Sequence, residues 1–128
     1  MPFVRISTTE HFHAAARSAI GDGVHRALVD AIDIPEADRF QVITTHREGE
    51  LIWDRGYLDV DRSDRAVFVH TSLRDGRDDE KKRELYAAIA LNLERSPGVR
   101  PQDVLIVLQE NVPANWSFGN GIAHYAKS

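Results

Sequence analysis

The sequence contains no cysteine among its 128 residues, which excludes disulfide bonds, thiolate metal ligands and a cysteine nucleophile. It also lacks an apolar run long enough to span a bilayer and the basic and apolar regions of a secretory signal. Positive charge is not in excess, because the net charge is −4. This charge argues against general affinity for nucleic acid or anionic membranes. These absences favour a cytoplasmic globular protein, and the length suits one domain over residues 1–128.

Four segments are rich in β-branched and aromatic residues and are predicted to be strands: residues 2–7, 40–46, 66–72 and 103–110. Residues 14–32 and 78–96 lie between the members of each pair and carry apolar residues at helical spacing. The order strand–helix–strand therefore occurs twice, which predicts an α/β (α+β) fold of two βαβ units. We interpret it as an internal duplication over roughly residues 1–48 and 64–112, followed by a tail at residues 113–128.

Both faces of the predicted four-stranded sheet are apolar, as the alternation of residues 104–108 (VLIVL) shows. Two helices can cover only one face of such a sheet. The second face is predicted to be covered by another subunit. The alternative is that the chain covers this face itself, with its tail and with residues 51–60 (LIWDRGYLDV), which have the composition of a short hairpin around Asp54–Gly56.

The opening stretch, MPFVRIS, places Pro2 directly after the initiator methionine and at the start of a strand. A proline costs little there, because the first residue of a strand can do without its N–H. If Met1 is removed, however, Pro2 presents a secondary amine on a rigid ring, a base that no internal residue supplies. While Met1 is attached, the Pro2 nitrogen is an amide and cannot act as a base. Position alone leaves the structural and the chemical interpretation open.

Two arginines follow the third strand, Arg74 and Arg77 in SLRDGRDDEKK, immediately before the second helix. Two guanidinium groups beside a helix N-terminus could hold a carboxylate. The structural alternative is a solvated basic pair balanced by the neighbouring aspartates.

Three further features are candidates for a site, each with a structural alternative. Asp38 precedes the second strand and is either a functional carboxylate or a turn residue. Trp116 and Phe118 lie in the glycine-rich tail and either wall an apolar pocket or form a subunit contact. His25, in the first helix, adjoins the apolar stripe and is by itself more typical of a structural histidine. No histidine spacing indicates a metal site.

Taken in order, these motifs resemble the tautomerase superfamily, and the likeness is closest to the malonate semialdehyde decarboxylases. The matching pieces are the MP start, H-x-A-x-V-D-A from His25, P-x-x-D-R-F-Q from Pro35, HR-x-GE from His46, the arginine after the third strand, and WSFG-x-G from Trp116. The resemblance implies a four-stranded sheet with two helices on one face, assembled as a homotrimer. It also implies that Pro2 is the catalytic group after loss of Met1, and that Asp38 and Arg74 are catalytic.

One stretch departs from the decarboxylase pattern. Where those enzymes have Arg-Pro-Arg, this chain has Gly76 at the third position, and Arg74-Asp-Gly-Arg77 resembles the Arg-Glu-Gly-Arg of the cis-3-chloroacrylic acid dehalogenases. Those enzymes also use a first-helix histidine, so His25 is a candidate substrate-binding residue with Trp116 and Phe118. The tail glutamate of the dehalogenases has no convincing counterpart here.

The resemblance implies proton transfer on a small carboxylate substrate. Arg74 and Arg77 would hold the carboxylate and stabilise enolate charge, while the two tail aromatics would exclude water. A dry cationic site lowers the pKa of the Pro2 amine, which allows enol–keto tautomerisation. A protonated Pro2 would instead favour decarboxylation of a 3-oxo acid or hydration of a 3-haloacrylate. No metal or organic cofactor is expected. The alternative of another class is a non-catalytic trimer that binds small acids or a protein.

Overall fold

The computed structural model describes residues 1–126. Its helices and strands follow the order β1 (Pro2–Thr9), α1 (Ala14–Ile32), β2 (Gln41–His46), β3 (Val67–Arg74), α2 (Asp79–Arg95) and β4 (Val104–Asn111). Short 3₁₀ turns occupy Tyr57–Asp59, Pro101–Asp103 and Pro113–Asn115. The predicted succession of two strand–helix–strand units is confirmed.

Side-chain caps explain where the two helices begin. The Ala16 N–H donates to Nδ1 of His13 before α1, and the Lys81 N–H donates to the carboxylate of Asp78 before α2. Each bond satisfies a donor that has no partner within the helix itself. Asp33 ends α1 in the left-handed conformation. Within residues 1–126, neither helix has both the length and the apolar character needed to cross a bilayer.

The sheet has the order β2-β1-β3-β4. Within each unit the two strands are parallel, as a helical crossover requires, and β1 and β3 join the units in antiparallel fashion. Pro2 pairs with Leu73, the last residue but one of β3. The amino terminus therefore lies at one end of an interior strand, between β2 and β3.

The core lies between one face of the sheet and the two helices. Its fully buried members include Val4, Ile6, Val69 and Leu73 from the strands, and Ile20, Val24, Leu28, Leu85, Ile89 and Leu93 from the helices. Gly23 lets the helices approach closely, because a Cβ there would lie 2.9 Å from Cδ2 of Leu93. The Asn92 side chain donates to the Gly23 carbonyl across this contact, at 3.0 Å.

The other face of the sheet carries no helix. Leu105 and Val107 point outward from β4 and are each 45% exposed, so the prediction of two apolar faces is confirmed. The segment between the units covers one end of this face, where Trp53 packs edge-on against Phe68 with ring centroids 6.3 Å apart. The chain thus covers part of this face and leaves the β4 side open.

The hairpin predicted for residues 51–60 is wrong, because this range forms a compact loop with a 3₁₀ turn. The Asp54 carboxylate accepts the Gly56 N–H at 2.8 Å. The Arg62 guanidinium donates to the carbonyls of Asp54, Tyr57 and Val60. Side chains therefore take the main-chain groups that a strand ladder would have used.

Candidate active site

The amino terminus lies against a largely buried carboxylate. The ammonium nitrogen of Met1 is 3.1 Å from Oδ2 of Asp38, whose side chain is 13% exposed. Oδ1 of Asp38 is buried and has no hydrogen-bond partner among the described residues. A buried carboxylate oxygen without a partner costs free energy, so this arrangement is typical of functional rather than structural placement.

Strand register explains why Asp38 meets the terminus. Val4 pairs with Gln41 in β2, and the Val4 N–H donates to the Phe40 carbonyl at 3.0 Å. Continuing this register three residues backwards places Met1 beside Asp38.

The same row continues on the other side of β1. Because Pro2 pairs with Leu73, one further step places Met1 beside Arg74, which in turn pairs with Asn111 of β4. Asp38, the amino terminus, Arg74 and Asn111 therefore form one row across the end of the sheet. In the register of the sheet, Asp38 and Arg74 therefore lie on opposite sides of the amino terminus.

Arg77 reinforces the positive charge of this row. Its Nη1 donates to the Arg74 carbonyl at 2.9 Å, within a loop that Gly76 allows by adopting a φ of +113°. Burial lowers the pKa of the Arg77 guanidinium, and the positive charge of Arg74 lowers it further. An anion bound between the two arginines would relieve this repulsion.

The tail lies across the end of the sheet. Trp116 donates its indole N–H to the Asn111 side chain at the end of β4. It stacks on Phe118, with centroids 5.7 Å apart and planes 10° apart, and Phe118 contacts Phe40 at 5.5 Å. Since β4 and β2 are the two edge strands, the aromatic pair bridges the row that contains the amino terminus. Its indole and phenyl rings give that row an apolar wall.

The structure thus brings together six of the seven predicted site residues: Pro2, Asp38, Arg74, Arg77, Trp116 and Phe118. The seventh, His25, lies on α1, where it is buried and donates Nε2–H to the Glu36 carbonyl at 2.8 Å. Sequence reasoning missed three contributors, Phe40, Asn111 and Tyr125, the last of which contacts Phe118 edge-on at 5.5 Å. Phe40 had a signal, because it follows Asp38 by two residues within the P-x-x-D-R-F-Q motif. Asn111 had none, since its bond to Trp116 depends on the path of the tail.

Two cavities of the single chain lie away from this row. One of about 570 Å³, at the opposite end of the sheet, is lined by residues such as His11, His46 and Trp53. Another, of about 500 Å³, lies between the helices and includes His25 and Asn92. Neither includes Pro2 or Arg74.

Comparison with models of known protein families identifies the family of the chain. The profile of a family described as "Tautomerase enzyme" matches residues 38–119, and a second profile of the same description matches residues 2–54. The chain belongs to the tautomerase family. This tautomerase is 37% identical over 123 residues to the probable tautomerase YusQ of Bacillus subtilis (strain 168), which covers 96% of this chain and 97% of the relative.

Among solved structures, the chain is similar to two malonate semialdehyde decarboxylases. The tautomerase matches FG41 malonate semialdehyde decarboxylase inhibited by 3-bromopropiolate with a TM-score of 0.91 and 40% identity, over 96% of this chain and 93% of the other. It matches a further malonate semialdehyde decarboxylase with a TM-score of 0.90 and 33% identity, over 96% and 95%. The predicted membership of the tautomerase superfamily, with its likeness to these decarboxylases, is confirmed.

Proposed function

We propose that this tautomerase uses Pro2, freed by removal of Met1, to move a proton on small carboxylate substrates. The observation that carries the proposal is the row at the end of the sheet, where the Met1 nitrogen lies 3.1 Å from Asp38 and, by strand register, beside Arg74, one residue ahead of Pro2. Removal of Met1 leaves the secondary amine of Pro2 at the end of the same interior strand. The aromatic pair of the tail keeps water from this amine, and the arginines supply positive charge for the substrate.

The tautomerisation proceeds by transfer of one proton. Arg74, with Arg77 assisting, binds the substrate carboxylate and stabilises negative charge on the enolate oxygen. The neutral Pro2 amine accepts the proton of the enol hydroxyl, and the resulting ammonium delivers it to carbon as the carbonyl forms. Asp38 orients the amine and stabilises its ammonium form.

Decarboxylation of a 3-oxo acid is proposed as a second reaction of this site. Both malonate semialdehyde decarboxylases cover nearly the whole chain, one is inhibited by the small carboxylate 3-bromopropiolate, and the other's structures include a variant with alanine for its first-position proline. The ammonium of Pro2 would polarise the carbonyl while the C–C bond to the carboxylate breaks and carbon dioxide leaves. The electron pair passes to the enolate, which Pro2 then protonates at carbon.

Hydration of unsaturated acids is a third candidate reaction, an alternative to decarboxylation, and the spacing of Arg74 and Arg77 around Gly76 favours it. That spacing matches the dehalogenase pattern rather than Arg-Pro-Arg. The malonate semialdehyde decarboxylase that is 33% identical to this chain is also described with hydratase activity. Release of halide from a 3-haloacrylate, against release of carbon dioxide from malonate semialdehyde, separates the two candidates.

We further propose that the enzyme acts as a homotrimer in the cytoplasm and needs no nucleic acid or membrane. The uncovered β4 side of the sheet supports assembly, because exposed Leu105 and Val107 favour a partner surface. A second subunit packed on that side would add walls to the row at the amino terminus. The lack of cysteine fits a reducing compartment.

The proposal is tested by intact mass and by tautomerase assays on phenylenolpyruvate, with wild type and Pro2→Ala. We expect a mass without Met1 and a large loss of kcat/KM in the variant, because alanine keeps an amine but loses the fixed direction and basicity of the ring. Retention of Met1 in an active enzyme would contradict the proposal. So would wild-type kinetics in Pro2→Ala, and a folded, fully processed enzyme without turnover would favour the binding module.

A further inference from the structure

His25 forms a hydrogen bond to the turn that ends at Asp38. The imidazole is buried, with 5% exposure, and its Nε2–H donates to the Glu36 carbonyl at 2.8 Å. Glu36 lies within the turn from Pro35 to Asp38, which the Asp38 N–H closes by donating to the Pro35 carbonyl at 3.0 Å. The histidine therefore fixes the middle of the turn from the side of α1.

The position of Asp38 depends on this turn. Its carboxylate reaches the amino terminus at 3.1 Å while its second oxygen has no partner within residues 1–126. No side-chain hydrogen bond within the described chain therefore holds this carboxylate, and the backbone of the turn sets where it lies. A displacement of about 1 Å is enough to lower a rate severely when a catalytic group must meet a reacting atom.

We propose that His25 is a positioning residue, which acts through the Glu36 carbonyl to hold Asp38 beside the N-terminal amine. The proposal rests on the proposed function, because it needs Asp38 to take part in the reaction. It replaces direct substrate contact as the role of His25, since the Nε2–H that would bind a substrate already binds a main-chain carbonyl. The imidazole holds this bond in its neutral or its charged form, so the proposal does not depend on titration of the ring.

Arg26 provides a matched control on the same turn. Its guanidinium donates to the Glu36 carboxylate at 2.7 Å, but this pair is exposed on both sides, with 47% and 72% exposure. The bond ties the side chain of Glu36 and leaves its main chain free. Loss of Arg26 removes a contact to the same residue without releasing the carbonyl that His25 holds.

The first experiment compares His25→Leu with His25→Gln in the assay on phenylenolpyruvate. Leucine keeps the bulk of the side chain and removes the donor, whereas the glutamine amide places an N–H near the position of Nε2. We expect His25→Leu to lower kcat/KM at least about tenfold, mainly through kcat, because a positioning effect acts on the chemical step. His25→Gln should stay within about threefold of wild type, because the glutamine keeps a donor to the Glu36 carbonyl. Arg26→Ala should stay within about twofold, because Arg26 does not contact that carbonyl.

A double-mutant cycle with Asp38→Asn separates positioning from direct contact. If His25 acts only through Asp38, His25→Leu should lower the rate of the Asp38→Asn enzyme less than about twofold, because coupled residues are not additive. A full further loss in that background would show that His25 acts on the substrate by itself and would overturn the proposal. A folded His25→Gln enzyme that loses as much activity as His25→Leu would also overturn it.

Two outcomes distinguish this proposal from the proposed function. If Pro2→Ala and Asp38→Asn lower activity but His25→Leu does not, only the role of His25 is wrong. If Asp38→Asn behaves as wild type, Asp38 has no catalytic part and the positioning role falls with it. Circular dichroism and thermal unfolding establish that each variant is folded. Should His25→Leu fail to fold, His25→Gln decides alone, since it must keep near wild-type kcat/KM.

Discussion

The row at the amino terminus contains one carboxylate, on Asp38, and its most exposed cationic residue is Arg74. Arg74→Ala should lower kcat/KM for phenylenolpyruvate at least about 100-fold, because a charge-assisted contact is worth about 1.5–3 kcal/mol and enolate charge adds to it. Steady-state kinetics on the folded variant measure the effect. Arg77→Ala should lose less, since Arg77 only assists Arg74 in the proposed contact to the carboxylate. Unchanged kinetics in Arg74→Ala would remove this residue from the site.

The charges around the amine should move its ionisation in opposite directions. The carboxylate of Asp38 favours the ammonium form, so Asp38→Asn should lower the apparent pKa in the pH profile of kcat/KM. Arg74 disfavours a nearby cation, as it does at Arg77, whose pKa it lowers. Arg74→Ala should therefore raise the apparent pKa. Shifts of the same sign in both variants would contradict the placement of the amine between these two groups.

Most residues of the candidate site could be placed from the sequence because their positions follow from strand ends. Asp38 precedes β2 and Arg74 ends β3, so a sheet with this strand order brings them to one end, on either side of β1. The contribution of Asn111 could not be predicted, because it depends on how the tail returns over the sheet. The role of His25 could be proposed only from its distance to the Glu36 carbonyl, since a helical histidine beside an apolar stripe has many uses.

Among the elements, α2 and β4 are joined close to the arginine loop by one ion pair. Lys82 Nζ lies 2.7 Å from Oε1 of Glu110. The hydrogen bond from Lys82 lowers the pKa of the Glu110 carboxyl below its ordinary value of 4.5, with help from the Gly76 N–H. A lowered pKa in the folded state adds stability above the unfolded value, and this stability is lost as the pH falls through the folded value.

The Glu110→Gln variant should therefore be less stable than wild type at neutral pH. The difference in free energy of unfolding should shrink as the pH falls below about 4.5, where the unfolded carboxyl becomes protonated, and vanish below the folded pKa. Urea unfolding at several pH values measures it. Lys81→Met, at the exposed 3.5 Å pair with Glu84, serves as the control and should change stability little at any pH. A difference that persists undiminished at low pH would assign the effect to packing.

The helix pair gives a second element-level prediction, at Gly23. Alanine gains about 1 kcal/mol of helix propensity over glycine, but its Cβ would lie 2.9 Å from the buried Leu93 side chain. Overpacking of a filled core typically costs about 1–3 kcal/mol. Gly23→Ala should therefore lower the free energy of unfolding or leave no gain, whereas Ser18→Ala on the exposed side of α1 should not lower it. A clear gain in Gly23→Ala would show that the helices can move apart.

The elements themselves were predicted well where the sequence repeats a period. The apolar stripe of residues 14–32 coincides with α1, and strand alternation separated Leu105 and Val107 from the core side of β4. The hairpin expected at residues 51–60 failed because composition alone cannot show that Asp54 and Arg62 will bind the main chain. Local side-chain bonds of this kind override the pattern on which strand prediction depends.

For the whole molecule, the helix-free face of the sheet predicts assembly. Light scattering at micromolar concentration should give three times the chain mass of 14.4 kDa. Val107→Asp should yield smaller, folded species, because a charge on the uncovered face opposes burial. Leu91→Asp is the matched control, since Leu91 is 44% exposed on α2 and lies away from that face. A monomeric wild type would refute the trimer, and an intact Val107→Asp trimer would move the interface elsewhere.

The interior position of β1 bears on how the protein should be produced in the laboratory. The chain enters the sheet between two neighbouring strands, and Met1 is only 8% exposed. An affinity tag fused ahead of Met1 would have to leave through this packed end of the sheet, beneath the aromatic tail. It would also keep Met1 attached, so the Pro2 nitrogen would stay an amide in every molecule, however well the remainder folds. A recombinant enzyme intended for assay should therefore carry its tag at the carboxyl end, or a leader whose protease leaves proline as the first residue.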